Sequence, residues 1–324
     1  MNLAFLDSRS IVIFLLTFPL VVGLVTPIKK RSKALFYGIA TTIPVLNVFL
    51  LFHQGYGAGS LALSGMFVFS FDRFSWLFAV LVNACWALTL LYSSAYLRHQ
   101  FQDRAEPFHR YLSATVSLVL GAGLAGNFFT LVFFYVLSIP VIYPMIILRN
   151  DGESRWAGRM YFLSTFLPAM LLACPTVFLS FPAFAPFDQF TIQSLGYGPT
   201  HASLILGLLI IGFSKNCVAP FHMWLPYSAV APTPVTALIH SVASVQTATI
   251  ALLKITSQVY GDGYLASLND HFLETGWITY LCGGTAIYTA YRAWKTPDLK
   301  KRFSYSTVGQ LSYIITATLV GTRQ

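Results

Sequence analysis

The chain has 324 residues, of which 56% are hydrophobic, 16% aromatic and 10% charged, with a formal net charge of +9. A soluble domain of this length would carry roughly 25% charged residues. These values exclude a soluble enzyme, a disordered chain and a nucleic-acid-binding domain, and they indicate a polytopic membrane protein.

Ten apolar runs are long enough to cross a membrane, which takes about 20 mostly apolar residues. We predict an all-α polytopic membrane protein with a single transmembrane domain over 1–324. Its spans are expected at about 10–27, 34–53, 74–97, 111–127, 128–148, 160–183, 202–225, 234–257, 276–294 and 304–321. Only Gly126 and Asn127 separate the fourth and fifth runs, which predicts a tight helical hairpin.

The positive charge is arranged as an orientation signal. Alternate loops hold 15 of the 20 Lys and Arg residues: Lys29, Lys30, Arg31, Lys33, Arg98, Arg104, Arg110, Arg149, Arg155, Arg159, Arg292, Lys295, Lys300, Lys301 and Arg302. We expect these loops to face the cytoplasm, with both termini on the non-cytoplasmic side of the cell's inner (plasma) membrane rather than the mitochondrial inner membrane. Lipid is an expected contact of these basic loops.

Chemistry of a conventional active site is not indicated. All 11 acidic residues lie in predicted loops or at span ends, and the four cysteines lie inside apolar runs without a metal-ligand spacing. The cysteines are interpreted as small buried hydrophobic residues, and no metal or cofactor is predicted. Without a nucleophile–base pair or a phosphate-binding loop, we expect no catalytic centre within this chain.

Lys215 is the most informative polar residue, because it lies near the middle of the seventh run. A charged amine at that depth is costly and is usually retained for function. Pro220 removes a backbone donor, so the helix is expected to kink or break within a turn of Asn216–Pro220. Freed carbonyls and the side chains of Ser214 and Asn216 would then lie beside the lysine, lining a cavity in which it exchanges a proton. The alternative is a structural lysine that hydrogen-bonds the kinked backbone.

Two histidines nearby leave alternatives open, and one further lysine has a single expected position. His240, in the eighth run with Ser244 and Thr247 on the same helical face, is either a proton relay or a hydrogen-bonded core histidine. His222, in the connection after the seventh run, is either a proton entry group or an interfacial residue. Lys254, near the outer end of the eighth run, is expected to extend to the lipid headgroups.

Two stretches in this region resemble a known signature. Residues 215–226 (KNCVAPFHMWLP) and 231–240 (APTPVTALIH) are similar to the motif of the proton-translocating antiporter-like subunits of respiratory complex I, Mrp cation/proton antiporters and membrane-bound hydrogenases. Residues 91–98 and 298–313 match as well. Phe134-Tyr135, Tyr143-Pro144 and residues 157–159 resemble the Mrp and hydrogenase branch more than complex I.

The resemblance implies a fold of about 14 helices with two inverted five-helix repeats, each containing a broken helix and a half-channel. Spans four to eight match the first repeat, with its broken seventh helix. The broken-helix lysine of the family maps to Lys215, and the histidine of the following helix maps to His240.

Several positions depart from the family pattern. Val136 stands where the family has a glutamate, Gln246 where the Mrp-like branch commonly has a lysine, and Tyr227 where an acidic residue follows the Trp-Leu-Pro motif. The sequence stops at Gln324, just after the span that matches the tenth helix. Spans nine and ten would then lack packing neighbours, and their polar residues Gln310, Ser312 and Tyr313 predict another membrane subunit on that face.

The leading hypothesis is a proton- or cation-translocating subunit of a multi-subunit membrane complex. Its expected pathway residues are Lys215, His240, His222, Ser214, Asn216, Ser244 and Gln246, with Pro220 at the helix break. Two alternatives stay open: a degenerate scaffold that does not conduct, suggested by Val136 and Gln246, and the membrane partner of an inorganic-carbon-uptake complex. Whether the complex is a proton-translocating oxidoreductase is also open.

Overall fold

The computed structural model describes residues 8–24, 26, 33–56, 58–100, 105–179, 181–239, 244–269 and 276–320. Within these ranges the chain is predominantly helical. The longer helices are α1 (Ser8–Leu24), α2 (Lys33–Gln54), α3 (Arg73–Gln100), α4 (Ala105–Gly123), α5 (Phe128–Ile146), α6 (Gly152–Met170), α8 (Pro199–Gly212), α11 (Val245–Lys254), α13 (Trp277–Lys295) and α14 (Leu299–Val320).

Shorter elements connect and extend these helices. They are the helices α7 (Cys174–Leu179), α9 (Trp224–Ser228), α10 (Thr233–Leu238) and α12 (Asp262–Asn269), the strands β1 (Ala58–Ala62) and β2 (Val68–Phe71), the 3₁₀ turns Ile147–Arg149, Leu171–Ala173, Phe187–Gln189, Ser214–Asn216 and Phe221–Met223, and the π-helical segment Ile255–Tyr260. Strands β1 and β2 pair antiparallel between α2 and α3. This hairpin lies between the second and third predicted spans, where the sequence predicts no strand.

Helical segments lie within each of the ten predicted apolar runs. By length and composition, four helical stretches of the described residues can cross a membrane: Phe36–Gln54, Arg73–Leu97, Phe128–Arg149 and Gly152–Leu179. Helices Ser8–Leu24 and Pro199–Gly212 are apolar but shorter. Large apolar side chains also point outward, among them Leu88 (66% exposed) and Ile287 (75% exposed). A predominantly helical fold with apolar outer faces is typical of a membrane protein.

A tight turn joins α4 to α5, as the sequence predicted. Asn127 caps α5, where its side-chain oxygen accepts a hydrogen bond from the Thr130 backbone N–H at 2.8 Å. Gly126 lies directly against β2: its N–H donates to the Val68 carbonyl at 2.8 Å, and a Cβ there would come within 3.0 Å of the Phe69 carbonyl carbon. A side chain at this position would press on the β2 backbone, so glycine suits the close approach of the hairpin to the α4–α5 turn.

The packing of α5, α6, α8 and α11 positions the interior polar residues. Helix α5 packs between α4 and α6, while α6 also contacts α8 and the segment that follows it. Helix α11 contacts that same segment together with α3, α4 and α14. The break after α8 is therefore enclosed by several helices, which lets non-helical backbone exist inside an apolar bundle.

Candidate functional site

The seventh run contains a broken helix. Helix α8 ends at Gly212, and the chain continues as the 3₁₀ turn Ser214–Asn216, a left-handed Cys217 (φ 60°) and a cis Ala219–Pro220 bond. A second 3₁₀ turn and the short α9 follow. The interruption predicted within a turn of Asn216–Pro220 is therefore confirmed, and it begins just before Lys215.

Lys215 lies in this interruption and is completely buried. Its Nζ donates to the Ser138 hydroxyl at 2.5 Å and lies 4.6 Å from the centroid of the Tyr135 ring. Its backbone N–H donates to the Tyr135 hydroxyl at 3.3 Å. Every partner of the side chain recorded in the described structure is thus uncharged.

Helix α5 supplies both neighbours of the lysine from one face. Tyr135 and Ser138 are three residues apart, a spacing that places them side by side on a helix, and both are fully buried. The Tyr135 ring also meets the Phe213 ring edge to face, with centroids 5.0 Å apart. Val136, the position at which the family has a glutamate, is half-buried and lies off this face. The resemblance pointed to the correct helix, but the side chains that contact Lys215 are those of Tyr135 and Ser138.

Ser214 and Asn216, which were predicted to lie beside Lys215, are buried and form hydrogen bonds to neighbouring segments. Ser214 donates weakly to the Thr165 carbonyl of α6 (3.4 Å), while its own carbonyl accepts from Trp224 Nε1 (3.4 Å). The Asn216 side-chain oxygen accepts from the Thr249 hydroxyl of α11 at 3.0 Å. This contact connects the broken segment to the next long helix, and the sequence interpretation did not single out Thr249.

The predicted relay on the eighth run is partly described. His240 lies outside the described residues. Ser244 is fully buried at the start of α11, and Gln246 is half-buried one turn before Thr249. Neither Ser244 nor Gln246 forms a recorded bond to Lys215.

His222 lies in the second 3₁₀ turn and is only 8% exposed. Its ring meets Tyr288 of α13 edge to face at 5.5 Å, and within the described part of the chain neither ring nitrogen has a hydrogen-bond partner. The ring is therefore enclosed by protein, and its role as a proton entry group or as an interfacial residue stays a prediction.

Lys254 corrects an expectation. It was expected to extend to the headgroups, but its side chain is 0% exposed and forms an ion pair with Asp72 at 3.0 Å. A buried ammonium without a counter-charge would be far more costly than this pair, so the side chain turns inward toward the carboxylate. Burial alone would raise the pKa of Asp72, but the Lys254 charge and the hydrogen bonds from Ser75 and Gln258 outweigh it and hold that pKa below 3.8.

Lys215 takes part in none of the ion pairs recorded within the described ranges. These pairs are Arg110–Glu106, Arg149–Asp151 and Lys254–Asp72. Within the same ranges, no group of three or more His, Cys, Asp and Glu side chains is arranged to hold a metal ion. The recorded neighbours of the buried Lys215 amine are therefore the Ser138 hydroxyl and the Tyr135 ring.

Comparison with known proteins decides the family. Residues 125–324, which include the broken helix and Lys215, match the family model described as NADH:quinone oxidoreductase/Mrp antiporter, TM. The chain belongs to this family. The signature read from residues 215–240 is thereby confirmed.

Relatives within the antiporter-like family agree. The chain is 27% identical over 256 residues to a Staphylococcus epidermidis protein named antiporter subunit mnhA2, covering 77% of this chain and 30% of that protein. It is 26% identical to a Rhizobium meliloti protein whose name calls it a K(+)/H(+) antiporter subunit, over 79% of this chain and 25% of that one. The chain thus spans less than a third of the length of these relatives.

Solved structures share the fold at low identity. A chain of the membrane-bound sulfane sulfur reductase, an archaeal respiratory membrane complex, superposes with a TM-score of 0.77 at 17% identity, covering 95% of this chain and 64% of that one. A chain of the Mrp complex from Dietzia sp. DQ12-45-1b gives 0.77 at 19% identity, over 96% and 34%. The antiporter-like fold therefore extends over nearly the whole chain.

Proposed function

We propose that this chain is a proton- or cation-translocating, antiporter-like subunit of a multi-subunit membrane complex, with Lys215 as its ionisable site. The observation that carries the proposal is the placement of a fully buried lysine in a broken helix, where its recorded partners are neutral. The relatives named as antiporter subunits support this reading.

The partners of Lys215 are suited to either charge state of the amine. The Ser138 hydroxyl accepts from Nζ and itself donates to the Tyr135 carbonyl at 2.6 Å, so it does not depend on the lysine for its own hydrogen bond. The Tyr135 ring face attracts a cation but carries no charge that would be left unpaired when the amine is neutral. A carboxylate partner would instead be left as a buried charge each time the proton departed.

A pathway away from Lys215 is proposed through buried polar groups that lack protein partners. Within the described ranges, the Asn216 amide nitrogen and both ring nitrogens of His222 are such groups. Buried polar groups of this kind are the ones that bind ordered water, and water can carry protons between them. We place Ser214, Asn216 and His222 on one arm, and Ser244, Gln246 and His240 on the arm along the eighth run.

The finer architecture is proposed on the same basis. The chain forms one transmembrane domain of ten spans over 1–324, of which spans four to eight make a five-helix inverted repeat. The basic loops face the cytoplasm, and both termini lie on the other side of the plasma membrane. The segregation of basic residues into alternate loops supports this arrangement.

A membrane partner is proposed on the face made by α13 and α14. Gln310 is exposed and the Tyr313 side chain is 52% exposed, whereas Ser312, expected to be exposed as well, is buried and bonds the Val308 carbonyl at 3.0 Å. An exposed amide within a membrane is costly against lipid and is satisfied by a neighbouring subunit. The relatives whose names call them subunits support the same view.

The test is ion transport by the assembled complex in proteoliposomes. Lys215→Met removes the amine but keeps an apolar stem of similar length, so assembly is expected to survive while coupled transport is lost. Lys295→Met is the matched control, because Lys295 is exposed at the end of α13. Transport at the control's level in Lys215→Met would overturn the proposal, and loss of subunits from Lys215→Met alone would show that the lysine is structural.

A further inference from the structure

The Lys254 ammonium occupies a cage made only of oxygen atoms. The cage oxygens come from β2, the start of α3 and the residue between them, and from the end of α4 and the turn that follows it. They lie within 3.5 Å of Nζ: Asp72 Oδ2 (3.0 Å), Ser70 Oγ (3.0 Å), Ser75 Oγ (2.7 Å), the Gly123 carbonyl (3.5 Å) and the Ala125 carbonyl, which is in close contact. Five oxygens thus surround an ammonium that has three protons to donate.

This ligand set is the one that replaces the hydration shell of a bare monovalent cation. Carbonyl and hydroxyl oxygens supply partial negative charge, as in filters that dehydrate potassium. One carboxylate, Asp72, supplies a single full charge, so a monovalent ion makes the cage neutral, whereas a divalent ion would leave a buried positive charge. In the wild-type chain, the tethered ammonium of Lys254 fills this role.

The cage is held together by contacts that do not involve Lys254. The Ser75 backbone N–H donates to Asp72 Oδ1 at 2.8 Å, and the Ser75 hydroxyl lies 2.8 Å from the Gly123 carbonyl. The Gln258 amide donates to Asp72 Oδ2 at 3.1 Å, and the Ser70 N–H donates to the Leu124 carbonyl at 2.8 Å. Truncating the lysine would therefore leave the oxygen ligands in place.

We propose that this cage is a monovalent-cation site whose resident cation is the Lys254 ammonium, and that it binds a free cation of ammonium's size, ammonium or potassium, once that side chain is shortened. In the wild-type chain the Lys254 ammonium thereby connects α11 to the β-hairpin and to α3, and this connection does not require a cation from the surrounding salt. The proposal is independent of proton carriage by Lys215.

The test is chemical rescue of Lys254→Ala. The full chain, with the subunits that accompany it, is purified in detergent and unfolded by heat at neutral pH in ammonium, potassium or N-methylglucammonium chloride at equal ionic strength. We expect the midpoint of Lys254→Ala to rise and saturate with ammonium or potassium but not with N-methylglucammonium, which is too large for the cage. The wild-type midpoint should be the same in all three salts.

The double variant Asp72→Asn/Lys254→Ala is the matched control, because it removes the carboxylate that makes a cation necessary. It should show no preference among the salts, and radioactive rubidium, a potassium analogue, should bind to Lys254→Ala and not to the double variant. Recovery of folded Lys254→Ala only when ammonium or potassium is present would also support the site. Three outcomes would each overturn the proposal. Lys254→Ala could have the same midpoint in all salts, or the salt preference could persist in the double variant. The third outcome is that Lys254→Ala fails to fold in every salt while the double variant folds.

Discussion

Removing the Ser138 hydroxyl tests the contact that defines the surroundings of Lys215. Ser138→Ala deletes an acceptor 2.5 Å from Nζ, in a place where both residues are completely buried. A hydrogen bond to a charged group contributes about 1.5–3 kcal/mol, against about 0.5–1.5 kcal/mol for a neutral pair. We therefore expect Ser138→Ala to lower the free energy of unfolding by about 1–3 kcal/mol, depending on the fraction of Lys215 that is charged at the assay pH.

A double-mutant cycle separates this contact from general packing. In a Lys215→Met background no amine remains to be satisfied, so Ser138→Ala should cost much less, giving a coupling energy of about 1–2 kcal/mol between the two positions. Ser113→Ala is the matched control: Ser113 is fully buried, and its hydroxyl has no hydrogen-bond partner among the described residues, so its removal should be neutral or stabilising. Unfolding is followed by denaturant titration of the protein in detergent. A coupling energy within about 0.5 kcal/mol of zero would refute the inference that Ser138 stabilises the Lys215 amine.

Two further predictions concern carboxylates. Ser138→Asp should pair with Lys215, keep the amine charged and slow transport. Val136→Glu should slow transport less, because residue 136 is rotated by about 100° from Tyr135 on the helix. Equal effects of the two variants in the transport assay would contradict this geometry. Asp72→Asn should lower the free energy of unfolding, because it leaves the buried Lys254 ammonium without a counter-charge. The loss should be near the lower end of about 3–5 kcal/mol, because the Asp72 side chain is itself 21% exposed. Because the folded pKa of Asp72 lies below 3.8, the wild-type pair stabilises the protein above that pH and is lost as the pH falls through the folded pKa. Acid titration of unfolding should show this loss in the wild type and not in Asp72→Asn.

The sequence predicted the helices and the approximate position of the break because both depend on residues that are close together in the chain. Apolar run length predicts the helices, and Pro220 close to a lysine in an apolar run predicts an interruption nearby, although α8 already ends at Gly212, about two turns before the proline. Gly126 and Asn127 marked the α4–α5 turn for the same reason. Each of these signals lies within a few residues of the feature that it predicts.

Contacts between distant segments were harder to predict. Lys254 was expected to reach the headgroups because it lies near the outer end of the eighth run, and its partner Asp72 is brought to it only by folding. Strand β2 likewise forms backbone hydrogen bonds with the α4–α5 turn, which lies more than 50 residues away in the chain. For Lys215, helical periodicity could have placed Tyr135 and Ser138 on one face, but the resemblance drew attention to Val136 instead.

The most direct measurement of the central claim is coupled transport by Lys215→Arg. Arginine keeps a cation beside Ser138 and Tyr135 but is not deprotonated in proteins, so it separates a lysine that exchanges protons from one that only holds the broken helix. The assembled complex in proteoliposomes, with its subunit content checked, should retain the protein but lose proton-coupled transport. Transport at the wild-type rate in Lys215→Arg would contradict the claim that Lys215 carries the proton.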